Sequence, residues 1–308
     1  MDKIKIGIPR SMYYYYYKDL WINLLKQLGF EIIISPKTNK QIMNLGNQYA
    51  YDEMCLSLKN YIGHVAYLQG KCDYILVPRI DNFGPDNQTC TNFLATFDII
   101  HNLFEENILN YNIDHSHHET ELKGFIHLLK PFGISKKEIM ATYLEVKEKI
   151  KVQQKNEVRN NLKKLNSLST KILIVGHPYN VYDDYIGKPI IKILKQLQTE
   201  IIYSNLFNPK IAQEESKKIS KTLYWKYSKE IIGCIPRIIG KIDGIIFLST
   251  FPCGLDSLVN ELVIRKLKLP TLNLIIDDMD SLTGFETRLE SFVDVVRERK
   301  KQKNEEKN

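Results

Sequence analysis

The stretch Lys171-Ile-Leu-Ile-Val-Gly176-His177-Pro178 decides the fold. A short apolar run closed by glycine and proline predicts a buried strand, because the run is too short for a helix. The same form opens the chain, where Lys3-Ile-Lys-Ile-Gly-Ile8 stops at Pro9-Arg10. Each of these strands leads into a helical pattern (residues 14–28 and 188–197) and then a second short strand (31–34 and 200–203). Further strands are predicted at 74–77, 244–248 and 271–276. Helices are predicted at 41–45, 53–68, 93–104, 255–267 and 283–299, with a mostly helical stretch over 209–239. Strands alternating with helices imply parallel sheets with helices on both faces. The reading is therefore α/β, with two doubly wound parallel-sheet domains joined by a long helical segment. The N-terminal domain takes residues 1–120, the helical linker 121–168 and the C-terminal domain 169–300. The basic tail 301–308 has nothing apolar to bury and is expected to be disordered.

The linker carries one long helix. Residues 135–165 are rich in Lys and Glu and contain no Gly or Pro. Ile139, Tyr143, Val146 and Ile150 are spaced four, three and four, and Val158, Leu162 and Leu165 repeat the spacing. That is the narrow apolar seam of a surface helix, packed within the chain or against a partner.

Composition sets the outer limits. Of 308 residues, 44% are hydrophobic and 26% charged, near the globular average. No apolar run approaches the ~18 residues of a membrane helix. The N-terminus enters a strand pattern without an apolar signal core, so a cytoplasmic protein is expected. The net charge of +7 does not imply nucleic acid, since residues 297–308 alone hold six Lys/Arg against three Glu. The remaining excess is dispersed and forms no basic stripe. The sequence contains no G-x-x-x-x-G-K-[ST], no strand-borne G-x-G-x-x-G, no G-x-S-x-G and no H-E-x-x-H. The tyrosine run Tyr13 to Tyr17 is read as packing between domains.

Three of the five cysteines stand out by position. Cys55 lies in Asp52-Glu53-Met54-Cys55, read as the first turn of a helix capped by Asp52. Cys90 follows the third strand in a polar loop, and Cys253 lies between a strand and a helix in Phe251-Pro252-Cys253-Gly254-Leu255-Asp256-Ser257. Helix N-termini favour thiolate. The carboxyl edge of a parallel sheet is where open α/β folds bind ligands. Three thiolates meeting at that edge could hold a metal or cluster; the alternative is three small buried hydrophobes. Cys72 and Cys234 are read as core residues. The tract His115-Ser116-His117-His118 is read as solvated loop. His64 lies nine residues beyond Cys55, which turns it to the opposite helix face. His177 opens a loop at the ligand edge, as a structural histidine or a substrate contact. The acidic stretch Asp277-Asp278-Met279-Asp280 reads as a helix N-cap.

Several short motifs occur in order: Ile8-Pro9-Arg10-Ser-Met-Tyr13, Ser35-Pro36-Lys-Thr38-Asn39, Asp52-Glu53-Met-Cys55-Leu56, Gly63-His64-Val65, Val77-Pro78-Arg79, Gly176-His177-Pro178-Tyr179-Asn180, Phe251-Pro-Cys253-Gly254-Leu-Asp256-Ser257 and Thr287-Arg288-Leu289-Glu290. Together they resemble the CoA enzyme activase-associated proteins, relatives of the (R)-2-hydroxyacyl-CoA dehydratase subunits of the 2-hydroxyglutaryl-CoA dehydratase D-component type. The resemblance implies flavodoxin-like domains around a [4Fe–4S] cluster held by three cysteines, which map onto Cys55, Cys90 and Cys253. It implies a separate ATP-dependent activator protein that delivers one electron in an anaerobic setting, and an open iron that acts on the leaving oxygen of an acyl-CoA. The activity would be that of a lyase (dehydratase) or an ATP-coupled reductase component. Arg10, Glu53, His64, Arg79, His177, Asn180, Asp256 and Ser257 fall in the shared motifs as second-shell or substrate-lining candidates. A related subunit or a homodimer is a possible partner; nucleic acid and membrane are not. Other readings are a non-catalytic cluster-carrying electron relay, an activator-binding partner, or a two-lobed small-molecule binder without metal.

Overall fold

The computed structural model describes residues 3–105, 107–277 and 283–306. The chain divides into two compact units, Met1–Gln154 with Tyr224–Lys226, and Lys155–Leu223 with Tyr227–Asn308. The division falls inside the long helix, so the linker is shared out between the units.

The first unit runs β1 (Lys5–Ile8), α1 (Tyr14–Gln27), β2 (Glu31–Ile34), α2 (Lys40–Tyr49), α3 (Leu56–Leu68), β3 (Tyr74–Leu76), β4 (Arg79–Asn82), α4 (Thr91–Leu103), β5 (Ile108–Leu109), β6 (Asn112–Asp114), α5 (Glu121–Leu129) and α6 (Lys136–Lys163). Its sheet is parallel in the order β2-β1-β3-β5. This is the flavodoxin-like 2-1-3-4 order. The expected loop after the third strand begins as a strand, because β4 pairs with β6 in a separate parallel ladder. Pro78 has no N–H to offer. The ladder brackets it, with Val77 N donating to Leu109 O at 2.9 Å and Arg79 N to Tyr111 O at 3.0 Å.

Tyr13 is fully buried in this unit, and its hydroxyl donates towards Phe93 O at 2.6 Å and lies 2.7 Å from Thr96 Oγ1. Helices α2 and α3 cross through two glycines. A Cβ on Gly46 would meet Lys59 O at 2.1 Å, and one on Gly63 would meet Ile42 O at 2.1 Å. The histidine tract forms an exposed 3₁₀ turn, His115–His117, capped by the Asp114 carboxylate, which accepts from Ser116 N and His117 N.

The second unit runs β7 (Lys171–Val175), α7 (Pro178–Val181), α8 (Gly187–Gln196), β8 (Glu200–Tyr203), α9 (Pro209–Ser216), α10 (Lys226–Ile232), α11 (Ile235–Ile238), β9 (Gly244–Thr250), α12 (Gly254–Ile264), β10 (Thr271–Ile276) and α13 (Thr283–Glu305). Its parallel order β10-β9-β7-β8 repeats that of the first unit. The central strands β7 and β9 are buried almost throughout, as their continuous apolar runs required. Residues 278–280 of the acidic stretch read as an N-cap lie outside the described residues.

Each half of α6 is anchored in its own unit. In the first, Tyr143 Oη donates to Glu121 Oε1 at 2.6 Å and Ile139 and Val146 are buried. In the second, Asn161 is 3% exposed. Its side chain donates to Tyr203 O and Leu206 O and accepts from Tyr203 N, all at 2.9–3.0 Å. Val158 and Leu162 are only half-buried beside it. Helix α13 continues through residues 301–305 of the expected disordered tail. Lys300 helps to hold it, bonding Leu168 O, Ser169 O and Asp243 Oδ2. Among the described residues no helix is long and apolar enough to cross a membrane.

Candidate functional site

Cys55, Cys90 and Cys253 share one local setting: each is the N-cap residue of a helix, α3, α4 and α12 respectively. The sequence reading placed Cys55 inside the helix with Asp52 as its cap. Residues 51–54 instead form a turn, closed by Met54 N to Tyr51 O at 3.1 Å, and α3 starts at Leu56. An N-cap sulfur lies beside unpaired amides at the positive end of the helix dipole, which favours thiolate. At Cys253 this is explicit, since Asp256 N donates to Cys253 Sγ at 3.4 Å.

In the first unit the start of α4 meets the start of α3. Thr89 fixes the start of α4 by bonding Ile80 O and Asp81 O through its hydroxyl, and Cys90 follows it. In the first turn of α4, Asn92 Nδ2 donates to Cys55 Sγ at 3.2 Å. Sequence spacing gave no sign of this contact. Glu53 is exposed in the turn before Cys55. Arg79 pairs with Asp98 and lies over the Phe97 ring at 5.1 Å.

His64 belongs to another cluster of the same unit. Its Nδ1 is 2.8 Å from Ser35 Oγ and its Nε2 is 3.0 Å from Thr38 Oγ1. Burial, reinforced by the Arg10 charge, pushes its pKa from 6.5 down to about 3, so it is a neutral bridge near pH 7. Ser35 Oγ also accepts from Arg10 N at 2.8 Å. Ser35 and Thr38 were quoted within a motif but not singled out.

In the second unit the loop after β7 and the loop after β9 leave adjacent strands. His177 Nε2 lies 3.0 Å from Asp256 Oδ1, and both residues are buried. The His177 ring stacks on Tyr179 with centroids 5.0 Å apart. Asn180 N donates to His177 O, and Ser257 Oγ donates to Cys253 O at 2.9 Å. Asp256 thus joins the thiol to the imidazole: its amide faces Cys253 and its carboxylate faces His177. Cys72 is half-buried with Sγ 3.6 Å from Leu68 O, whereas Cys234 is fully buried and its thiol is pushed up to about 12. Cys234 matches the core reading; Cys72 is only partly covered. Among the described residues, no group of three or more His, Cys, Asp or Glu side chains is assembled to hold a metal ion. Thiols are the donor type that iron–sulfur groups take, and in the first unit Cys55 has a hydrogen-bond donor on its sulfur.

These features define a class, an α/β protein of two doubly wound units with cysteines capping helices beside the sheets. Within it, the chain belongs to the family described as CoA enzyme activase uncharacterised domain (DUF2229), whose model matches residues 5–223. Cys55, Cys90 and His177 lie inside the matched stretch; Cys253 and Asp256 lie beyond it. Among solved structures the chain is similar to the SBP FpvC from Pseudomonas aeruginosa, determined in complex with Mn2+. The identity is 10%, the TM-score 0.29, and the match covers 96% of this chain and 98% of that one. No curated protein matches.

Proposed function

We propose that this CoA enzyme activase-associated protein is an iron–sulfur protein that takes an electron from an ATP-dependent activator and uses it to reduce or dehydrate a substrate such as an acyl-CoA. The observation that carries the reading is the capping of α3, α4 and α12 by Cys55, Cys90 and Cys253, with Asn92 donating to Cys55. These three residues would hold a [4Fe–4S] cluster, which when bound supplies one-electron reduction and an open Lewis-acidic iron. The protein's own contribution is preorganisation. Asn92 donates to the Cys55 sulfur, the Asp256 amide donates to the Cys253 sulfur, and the Asp256 carboxylate orients the His177 ring. The ATP chemistry belongs to the partner, in keeping with the absence of a phosphate-loop motif in the sequence.

Calorimetric titration of anaerobically purified protein with a 2-hydroxyacyl-CoA tests this. Saturable binding is expected. A reducible cluster without acyl-CoA binding would leave the chain as an electron relay.

A further inference from the structure

Two strand ends in the first unit carry the same dipeptide. β1 ends at Ile8 and continues Pro9-Arg10; β3 ends at Leu76 and continues Val77-Pro78-Arg79. The strands are parallel neighbours with Gly7 opposite Ile75, so Arg10 leaves the end of β1 one register position before Arg79, which opens β4. The strand order β2-β1-β3-β5 reverses between β1 and β3, which makes this the topological switch point. Ligands of open α/β sheets bind outside the carboxyl ends of the strands at that point.

Arg10 is half-buried there, with its guanidinium over the Tyr14 ring at 5.7 Å. Its Nε is buried without a hydrogen-bond partner. Its charge is felt locally, since it helps to keep His64 neutral. Removing a cation from water without a counter-charge is costly, so such arginines are normally paired. Arg79 gives one arm to Asp98, and its Nε is likewise buried without a hydrogen-bond partner. The chain between Arg10 and α1 passes through Met12 in the left-handed region at φ 42°, a conformation that persists where the surroundings fix it.

We infer that Arg10, one register position from Arg79, binds an oxyanion of the substrate or ligand, a carboxylate or a phosphate, at this switch point. The planar fork of arginine suits either group. The inference rests on the ligand-binding reading of this edge and names the charge its ligand carries, but it does not require a cluster.

The test uses the full chain and two probes, inorganic pyrophosphate and glutarate, titrated by calorimetry with and without reconstituted iron. Saturable binding of at least one probe is expected whatever the iron content, and the stronger probe separates phosphate from carboxylate recognition. Arg10→Gln should weaken it at least tenfold, and Arg10→Lys less. Should Arg10→Gln not fold, phenylglyoxal labelling of the wild-type chain replaces it, and the bound probe should shield the peptide carrying Arg10 from modification. Equal affinity in folded Arg10→Gln, unshielded Arg10, or no saturable binding of either probe would overturn the inference. Loss of iron with probe binding intact would count against the cluster alone.

Discussion

His64 bridges Ser35 and Thr38 as a neutral, fully buried imidazole, and that protonation state has a consequence for stability. In the unfolded chain the residue takes up a proton near pH 6.5, in the folded chain only near 3. Between these values the unfolded state binds more protons. The contribution of His64 is therefore complete above about pH 6.5 and is lost as pH falls towards 3, with a slope of up to about 1.4 kcal/mol per pH unit. Urea titrations from pH 7 to pH 4 should show this fall in the wild type and lose that part of it in His64→Gln. At neutral pH, His64→Ala should cost about 2–4 kcal/mol from stranded hydroxyls and a cavity. Helix periodicity already separated this residue from Cys55. The hydroxyl partners come from the chain after β2, and spacing within α3 carries no information about them.

Elements were legible where apolar runs were continuous and obscured where a polar group sits inside. The sequence places a seam of Val158, Leu162 and Leu165 on the C-terminal half of α6, yet the buried residue is Asn161. An asparagine serving three backbone groups looks like any surface polar residue until the fold closes around it. Asn161→Ala should cost about 1–3 kcal/mol, more than Val158→Ala, because it leaves part-buried backbone groups of 203 and 206 without their partner. The short strands β5 and β6 were missed because Ile108–Leu109 and Asn112–Asp114 are too brief to show a period. The crossing of α2 and α3 makes a sharper demand. Gly46→Ala or Gly63→Ala would drive a methyl group into a facing carbonyl and should destabilise by about 3 kcal/mol or more. Gly240→Ala, which meets open space, should stay within about 0.5 kcal/mol of the wild type in the same melts.

At the scale of the whole molecule the twofold repetition of strand, helix and strand was plain in the sequence, and both sheets carry the 2-1-3-4 order. The three cysteines were also selected from their positions at the ends of strands and the starts of helices. What the sequence did not carry was the contact between Asn92 and Cys55 or the bridge from Cys253 through Asp256 to His177, since both depend on side chains from separate elements. The central claim is that these cysteines hold a cluster. Iron and sulfide should be measured, with EPR, on protein purified without oxygen, beside Cys253→Ala and a Cys72→Ala control. The proposal requires about four irons per chain and a reducible signal, lost in Cys253→Ala and kept in Cys72→Ala. No iron in the wild type after anaerobic reconstitution, with the protein folded, would contradict it.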